Sequence, residues 1–210
     1  MNEKIRTVMF SILATAVFTF MLSGVNALLK ERIDRNRTIA RQKVILALFG
    51  LLNTAATVGE DAVPSLFAAE TLKIDLGDSA PECYRLKNSD SELFVVAFKG
   101  QGFWDNIFGF IALDMQSRTI SGIEFTQHGE TPGLGGRISE AEFKARFKNK
   151  PFAQIRPDGL RLKVVAEGSA ANVDEIDGIT GATGTSNAIE KIVNNTVATF
   201  IALKEGRAGQ

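Results

Sequence analysis

The sequence predicts an α+β domain carried behind a single N-terminal transmembrane helix. Three observations predict it. No charged residue lies between Arg6 and Lys30, and roughly 20 apolar residues suffice to cross a bilayer core. From residue 93 onward, β-branched and aromatic runs broken by glycine and polar turns read as strands. Near the C-terminus, Ile189, Ile192, Val193, Thr196, Val197, Phe200 and Ile201 fall on one helical stripe. Strands and helices do not alternate strictly, which favours α+β over a doubly wound sheet.

The first apolar interval reads TVMFSILATAVFTFMLSGVNALL. A segment in lipid must satisfy its own backbone hydrogen bonds, and a helix does so. The competing reading is a cleavable signal peptide with Val25 and Ala27 at its small-residue positions. Such peptides usually have an apolar core of about 7–15 residues, shorter than this one. A buried soluble helix is a third reading, but no other stretch of the chain is comparably apolar. Beyond Lys30 the helix is expected to continue. Ile39, Val44, Ile45, Leu48, Leu51 and Leu52 recur at three- and four-residue spacing up to about Asn53. VILALFGLLN is too short to span again, so it should pack on the domain or lie at the membrane surface.

Residues 54–92 are acidic and loop-like, with Pro64, Gly77 and Pro81. The expected organisation is an anchor over residues 1–30, a basic amphipathic helix and linker over 31–92, and the globular domain over 93–210. In that domain ELFVVAFKG, IFGFIALD and TISGIEFTQ read as strands. A glycine-rich loop, HGETPGLGG, runs from His128 to Gly136. SEAEFKARF reads as a short helix with Ser139 and Glu142 at capping-box spacing. Arg161 to Ala166 reads as another strand, and the last helix should start near Ser186.

Composition limits the chemistry. The 210 residues carry no net formal charge and include one Cys and one His. Cys83 alone makes no intramolecular disulfide and no cysteine-based metal centre. His128 alone makes no histidine-pair metal motif and leaves little for a histidine-based triad. A nucleic-acid binder would need a basic excess that is missing here. A chain so poorly stocked points to a borrowed cofactor for any redox or hydrolytic work. Trp104 and the fifteen phenylalanines read as core or membrane-facing material, and Cys83 as an inert thiol.

One motif stands out. Asp177 to Ser186 reads DGITGATGTS, directly before the last helix. Gly178, Gly181 and Gly184 let a ligand approach the backbone closely. The helix start behind them offers unpaired N–H groups and a positive dipole end, which suit phosphate. The spacing is neither that of a P-loop nor G-x-G-x-x-G. Taken alone, the turn is also compatible with no more than a helix cap.

DGITGAT resembles the flavinylation signal of the FMN-binding domain family. That family includes NqrC of the sodium-pumping NADH:quinone oxidoreductase and RnfG of the Rnf electron-transport complex. ETPGLG (Glu130 to Gly135) is similar to the family's second signature, and GQGFWDNIFGFIALD to the strand region before it. The anchor followed by RQKVILALFGLL resembles the amino-terminal region of NqrC, while the overall length resembles RnfG. The resemblance implies that residues 93–210 are an FMN-binding domain. It implies FMN held by a phosphoester bond to the final threonine of the S/T-G-A-T signal, Thr183 here. Asp177, Gly178, Thr180, Gly181 and Ala182 would be read by a flavin transferase, with N–H groups such as those of Gly184 and Thr185 supporting the phosphate. Glu130, Thr131 and Leu134 are candidates to face the isoalloxazine, or only shape their loop. Lys163 is a further candidate for a flavin or phosphate contact. His128 reads as structural rather than as a proton donor.

The expected function is a one-electron carrier in a membrane complex coupling electron flow to Na⁺ or H⁺ transport. No catalytic residue and no metal ligand are assigned. Its partners would be the other subunits, the flavin transferase and the lipid bilayer, and not nucleic acid. A stand-alone membrane-anchored flavoprotein reductase and a non-redox tethered binding module are the alternatives. Lys30, Arg32, Arg35, Arg37, Arg41 and Lys43 outnumber Glu31 and Asp34, so the positive-inside rule alone keeps the C-terminal side in the cytoplasm. The resemblance implies the opposite: the soluble domain on the extracytoplasmic face of the cytoplasmic (inner) membrane.

Overall fold

The computed structural model describes residues 3–52, 59–77 and 80–208. The chain divides into two compact units between Ala40 and Arg41. Among the described residues, the part up to that boundary is helix α1, which runs Glu3–Leu48. It is long and apolar enough to cross a membrane. Phe10, Phe18, Phe20, Leu22 and Leu28 point away from its axis in several directions and are all largely exposed. A helix apolar all round is either a span or a buried core helix, and the apolar window of this one is not buried.

The second unit contains the end of α1, α2 (Val63–Glu70), and an antiparallel sheet. Its strands are β1 (Thr71–Ile74), β2 (Cys83–Leu86), β3 (Leu93–Gln101), β4 (Asn106–Asp114) and β5 (Thr119–Gln127), ordered as they occur in the chain. Short α3 (Ala141–Ala145), the parallel pair β6 (Lys163–Val165) and β7 (Glu175–Asp177), and α4 (Thr183–Ala208) follow.

Alternation along the strands sends side chains to two faces. Phe94, Val96 and Phe98 of β3 face a core shared with Ile189, Val193, Val197 and Phe200 of α4. Leu93, Val95 and Ala97 face a smaller core with Ile45 and Phe49, and with Phe67 of α2. A sheet covered on both faces explains why β4 reads as the nearly continuous apolar run IFGFIAL. In β5, Ile120 and Ile123 both enter the α4-side core despite opposite parity. The register shift opposite Ala112 and Leu113 resets the alternation between them.

Several elements differ from the sequence reading. The helix predicted to reach about Asn53, which lies outside the described residues, stops at Leu48. Gly50 takes a left-handed φ of +76°. Gly50 N–H bonds to the Ala47 carbonyl and Leu51 N–H to that of Leu46, a Schellman stop. The segment after Phe49 therefore does not extend the helix, while Ile45 and Phe49 pack on the sheet, one of the two expected placements.

The region read as loop-like contains α2, β1 and β2. These two strands are only four residues each, too short for alternation to show against their proline and glycine flanks. The expected capping box is not formed: α3 starts at Ala141 with no side-chain cap, and Ser139 Oγ lies 2.8 Å from His128 Nε2 instead. Finally, α4 starts at Thr183 rather than Ser186, because Ser186 N–H already bonds to the Ala182 carbonyl.

Candidate functional site

Three loops meet at the start of α4: the β3–β4 hairpin tip, the ETPGLG loop after β5, and the glycine–threonine turn after β7. They enclose an open cleft of about 190 Å³.

The turn is built from its supports outward. At the end of β7, Asp177 Oδ1 accepts the N–H groups of Ser169 and Ala170, both at 2.9 Å. Gly178 then passes between β6 and α4. A Cβ there would lie 2.8 Å from the Val165 carbonyl oxygen and 3.0 Å from Ser186 Oγ. Ala182 N–H closes a four-residue turn onto the Ile179 carbonyl at 3.0 Å. Its third residue, Gly181, has a φ of +78°, as a type II turn requires.

Behind the turn, Thr180 N–H donates to Glu167 Oε2 at 2.9 Å. The Thr180 hydroxyl and N–H, together with Arg146, hold the Glu167 carboxyl down to about 2. Arg146 Nη1 also donates to the carbonyls of Asp177 and Gly178 at 3.0 and 2.6 Å.

At the start of α4 the hydroxyls part company. Thr185 is buried and donates to Glu130 Oε2 at 2.5 Å. Ser186 is buried and accepts Ile179 N–H at 3.1 Å. Thr183 is exposed and lines the cleft. It stands where the first-turn N–H groups of a 26-residue helix have no intrahelical acceptors. Opposite lies an apolar wall. Phe103 and Trp104 are 60% and 67% exposed and meet edge to face with ring centroids 5.1 Å apart. Leu134 is 45% exposed. Gly184 lies so close beneath Phe103 that a Cβ would come within 2.3 Å of the ring.

Of the residues expected from sequence, Thr183, Gly181, Ala182, Gly184, Thr185, Glu130, Thr131 and Leu134 all line the cleft. Thr180, Asp177 and Gly178 do not line it; they form its support. Lys163 is not brought to it either. Its ammonium lies 3.6 Å from Asp158. Trp104, read as core or membrane-facing, stands on the rim. His128 has the structural role: Nδ1 accepts Glu130 N–H at 3.3 Å. That leaves Nε2 to carry the proton toward Ser139. Glu130 is not a solvated loop carboxylate but a buried one with all its bonds inside the protein.

Sequence reasoning missed Phe103, Gly135, Arg146 and Glu167. For Phe103 a signal was present. Two adjacent aromatic residues, FW, sit between Gly102 and Asp105 at a hairpin tip, where polar turn residues are the rule.

A cleft with one exposed hydroxyl at a helix N-terminus and an apolar aromatic wall fits a phosphate-bearing aromatic ligand such as FMN. Residues 102–198 match the FMN-binding domain family. Over 241 aligned residues the chain is 27% identical to NqrC, a subunit of the Na(+)-translocating NADH-quinone reductase, of Pasteurella multocida, covering 94% of this chain and 90% of that protein. NqrC of Pseudomonas aeruginosa is 27% identical, with coverage of 90% and 89%. The fold is similar to the crystal structure of NqrC from Parabacteroides distasonis, with a TM-score of 0.63 at 24% identity, covering 84% of this chain and 96% of that one. The match of residues 102–198 to the FMN-binding domain family takes in every residue that lines this cleft.

Proposed function

We propose that this chain is an FMN-carrying electron-transfer subunit of a membrane complex, with the FMN phosphate esterified to Thr183 Oγ1. The observation that carries the reading is the contrast among neighbouring hydroxyls. Those of Thr185 and Ser186 are buried and hydrogen-bonded, whereas Thr183 faces the cleft. The ester forms with net loss of water between the Thr183 hydroxyl and the FMN phosphate, and a flavin transferase is the expected catalyst. Bound FMN supplies a centre that accepts two electrons and releases them singly.

The chain's own residues have simpler tasks. The N–H groups and dipole of α4 stabilise the phosphate charge. Phe103, Trp104 and Leu134 offer the ring an apolar surface, and Thr131 a polar edge. Glu167 and Arg146 fix the turn that a transferase would read, Asp177 to Ala182.

The relatives are named as subunits of a sodium-translocating NADH-quinone reductase. On that basis the partners here are the other subunits of such a complex, with Na⁺ the favoured coupled ion. Residues 1–30 serve as the anchor, and the domain stands on the extracytoplasmic side, against the charge count. Protease added to spheroplasts should digest the domain; a protected domain would overturn this orientation. Full-length chain co-expressed with a flavin transferase should show flavin fluorescence after denaturing electrophoresis, and Thr183→Ala should be dark. A dark wild-type chain would overturn the reading and favour a non-redox tethered module.

A further inference from the structure

We propose that Glu130 is a positioning residue: its carboxylate clasps the Phe103–Trp104 hairpin tip to the first turn of α4 and so sets one wall of the cleft. Its relevance to the flavin rests on the proposed function, but the clasp itself is a property of the fold.

Glu130 sits in the ETPGLG loop yet bonds to neither of its own flanks through its side chain. Oε1 accepts Phe103 N–H at 2.9 Å and Trp104 N–H at 3.0 Å. Oε2 accepts the Thr185 hydroxyl at 2.5 Å. One carboxylate therefore joins residues 27 and 55 positions away in the chain. The residue is 5% exposed, and hydrogen bonds to a charged acceptor are the strong kind.

Two glycines make the seat. A Cβ at Gly102 would lie 2.5 Å from Oε1, and one at Gly135 would lie 2.8 Å from Oε2 and 2.4 Å from Thr185 Oγ1. Phe103 is then pressed onto Gly184, next to Thr183. Exposed aromatic side chains at a hairpin tip would otherwise be free to swing. With their two amides fixed, Phe103 and Trp104 keep their place beside the threonine.

Amide hydrogen exchange of the full-length chain in detergent, without flavin, tests the clasp. In Glu130→Ala, exchange at Phe103 and Trp104 should rise about ten-fold or more, while amides of Val96 and Ile111 in the central strands keep their rates. Glu130→Gln should restore protection, because its carbonyl oxygen can accept both amides while its NH₂ donates to Thr185 Oγ1. Unchanged exchange at Phe103 and Trp104 in Glu130→Ala would overturn the proposal, as would a uniform rise in every amide that Gln fails to reverse. Thr185→Val provides a gentler variant. It removes one of the three bonds and should give a smaller rise confined to the same amides; no rise would count against the clasp.

In flavinylated chains, Glu130→Ala should keep the flavin on Thr183 but change its visible circular dichroism. An unchanged spectrum would overturn the claim that the clasp sets the cleft wall. A wild-type chain that takes up no flavin would defeat the functional reading and leave the exchange result standing.

Discussion

Thr183 and Thr185 are the same residue type two positions apart, and their environments are opposite. Helical geometry turns them to different faces, so that one hydroxyl meets the cleft and the other a buried carboxylate. Gly178 illustrates a second local constraint. As part of the motif it would be something a transferase reads, but the fold needs it for space, since the Val165 carbonyl stands 2.8 Å from where a Cβ would go. Gly178→Ala should cost about 1–3 kcal/mol through overpacking, measured by denaturant unfolding. Glu167 adds a pH dependence. Its folded-state value of about 2 lies below the usual value of about 4.3. It therefore stabilises the turn above that pH and loses the contribution as pH falls toward about 2. Glu167→Gln should be less stable than the parent near neutrality, and the gap should close with acidification. Unfolding midpoints across a pH series read this directly.

The elements show why parts of the fold could be anticipated and others not. The long strands β3, β4 and β5 announce themselves because nine residues each give alternation or apolar continuity room to register. β6 and β7 are three residues each: β6 falls inside the stretch Arg161 to Ala166 that reads as a strand, β7 carries no such signal, and both rely on partners elsewhere in the chain. Asn194 of α4 is one such partner. Its Oδ1 accepts the N–H groups of Arg161 and Leu162, and its Nδ2 donates to the Leu162 and Glu190 carbonyls. No local pattern marks that residue. Asn194→Ala should cost about 3 kcal/mol, the upper end for a lost buried partner, again read by denaturant unfolding. The site behaves likewise. Both signatures were visible as motifs, and the cleft forms where they meet. The clasp by Glu130, the support by Arg146 and Glu167 and the wall by Phe103 depend on contacts that no spacing in the sequence encodes.

Across the whole chain, zero net charge conceals a basic segment after the anchor and an acidic one beyond it. Part of this charge is paired in the folded second unit: Arg41 with Glu82, and Lys43 with Glu60 at 3.0 Å. Cys83 reports on that unit as a body. It is fully buried, and burial pushes its thiol up to about 12, with Lys204 pulling slightly the other way. Because the thiolate is the reactive form, a thiol reagent at mildly alkaline pH should leave the native chain unlabelled and modify it only on unfolding. Rapid labelling of the native chain would show that the sheet opens around β2.

The scarcity of histidine and cysteine fits a protein whose redox chemistry would reside in one flavin on one threonine. Tandem mass spectrometry of chain co-expressed with a flavin transferase tests this most directly. The predicted result is one FMN on Thr183 in the wild type, Thr185→Ala and Ser186→Ala, and none in Thr183→Ala. FMN on Thr185 or Ser186, or retained in Thr183→Ala, would contradict it.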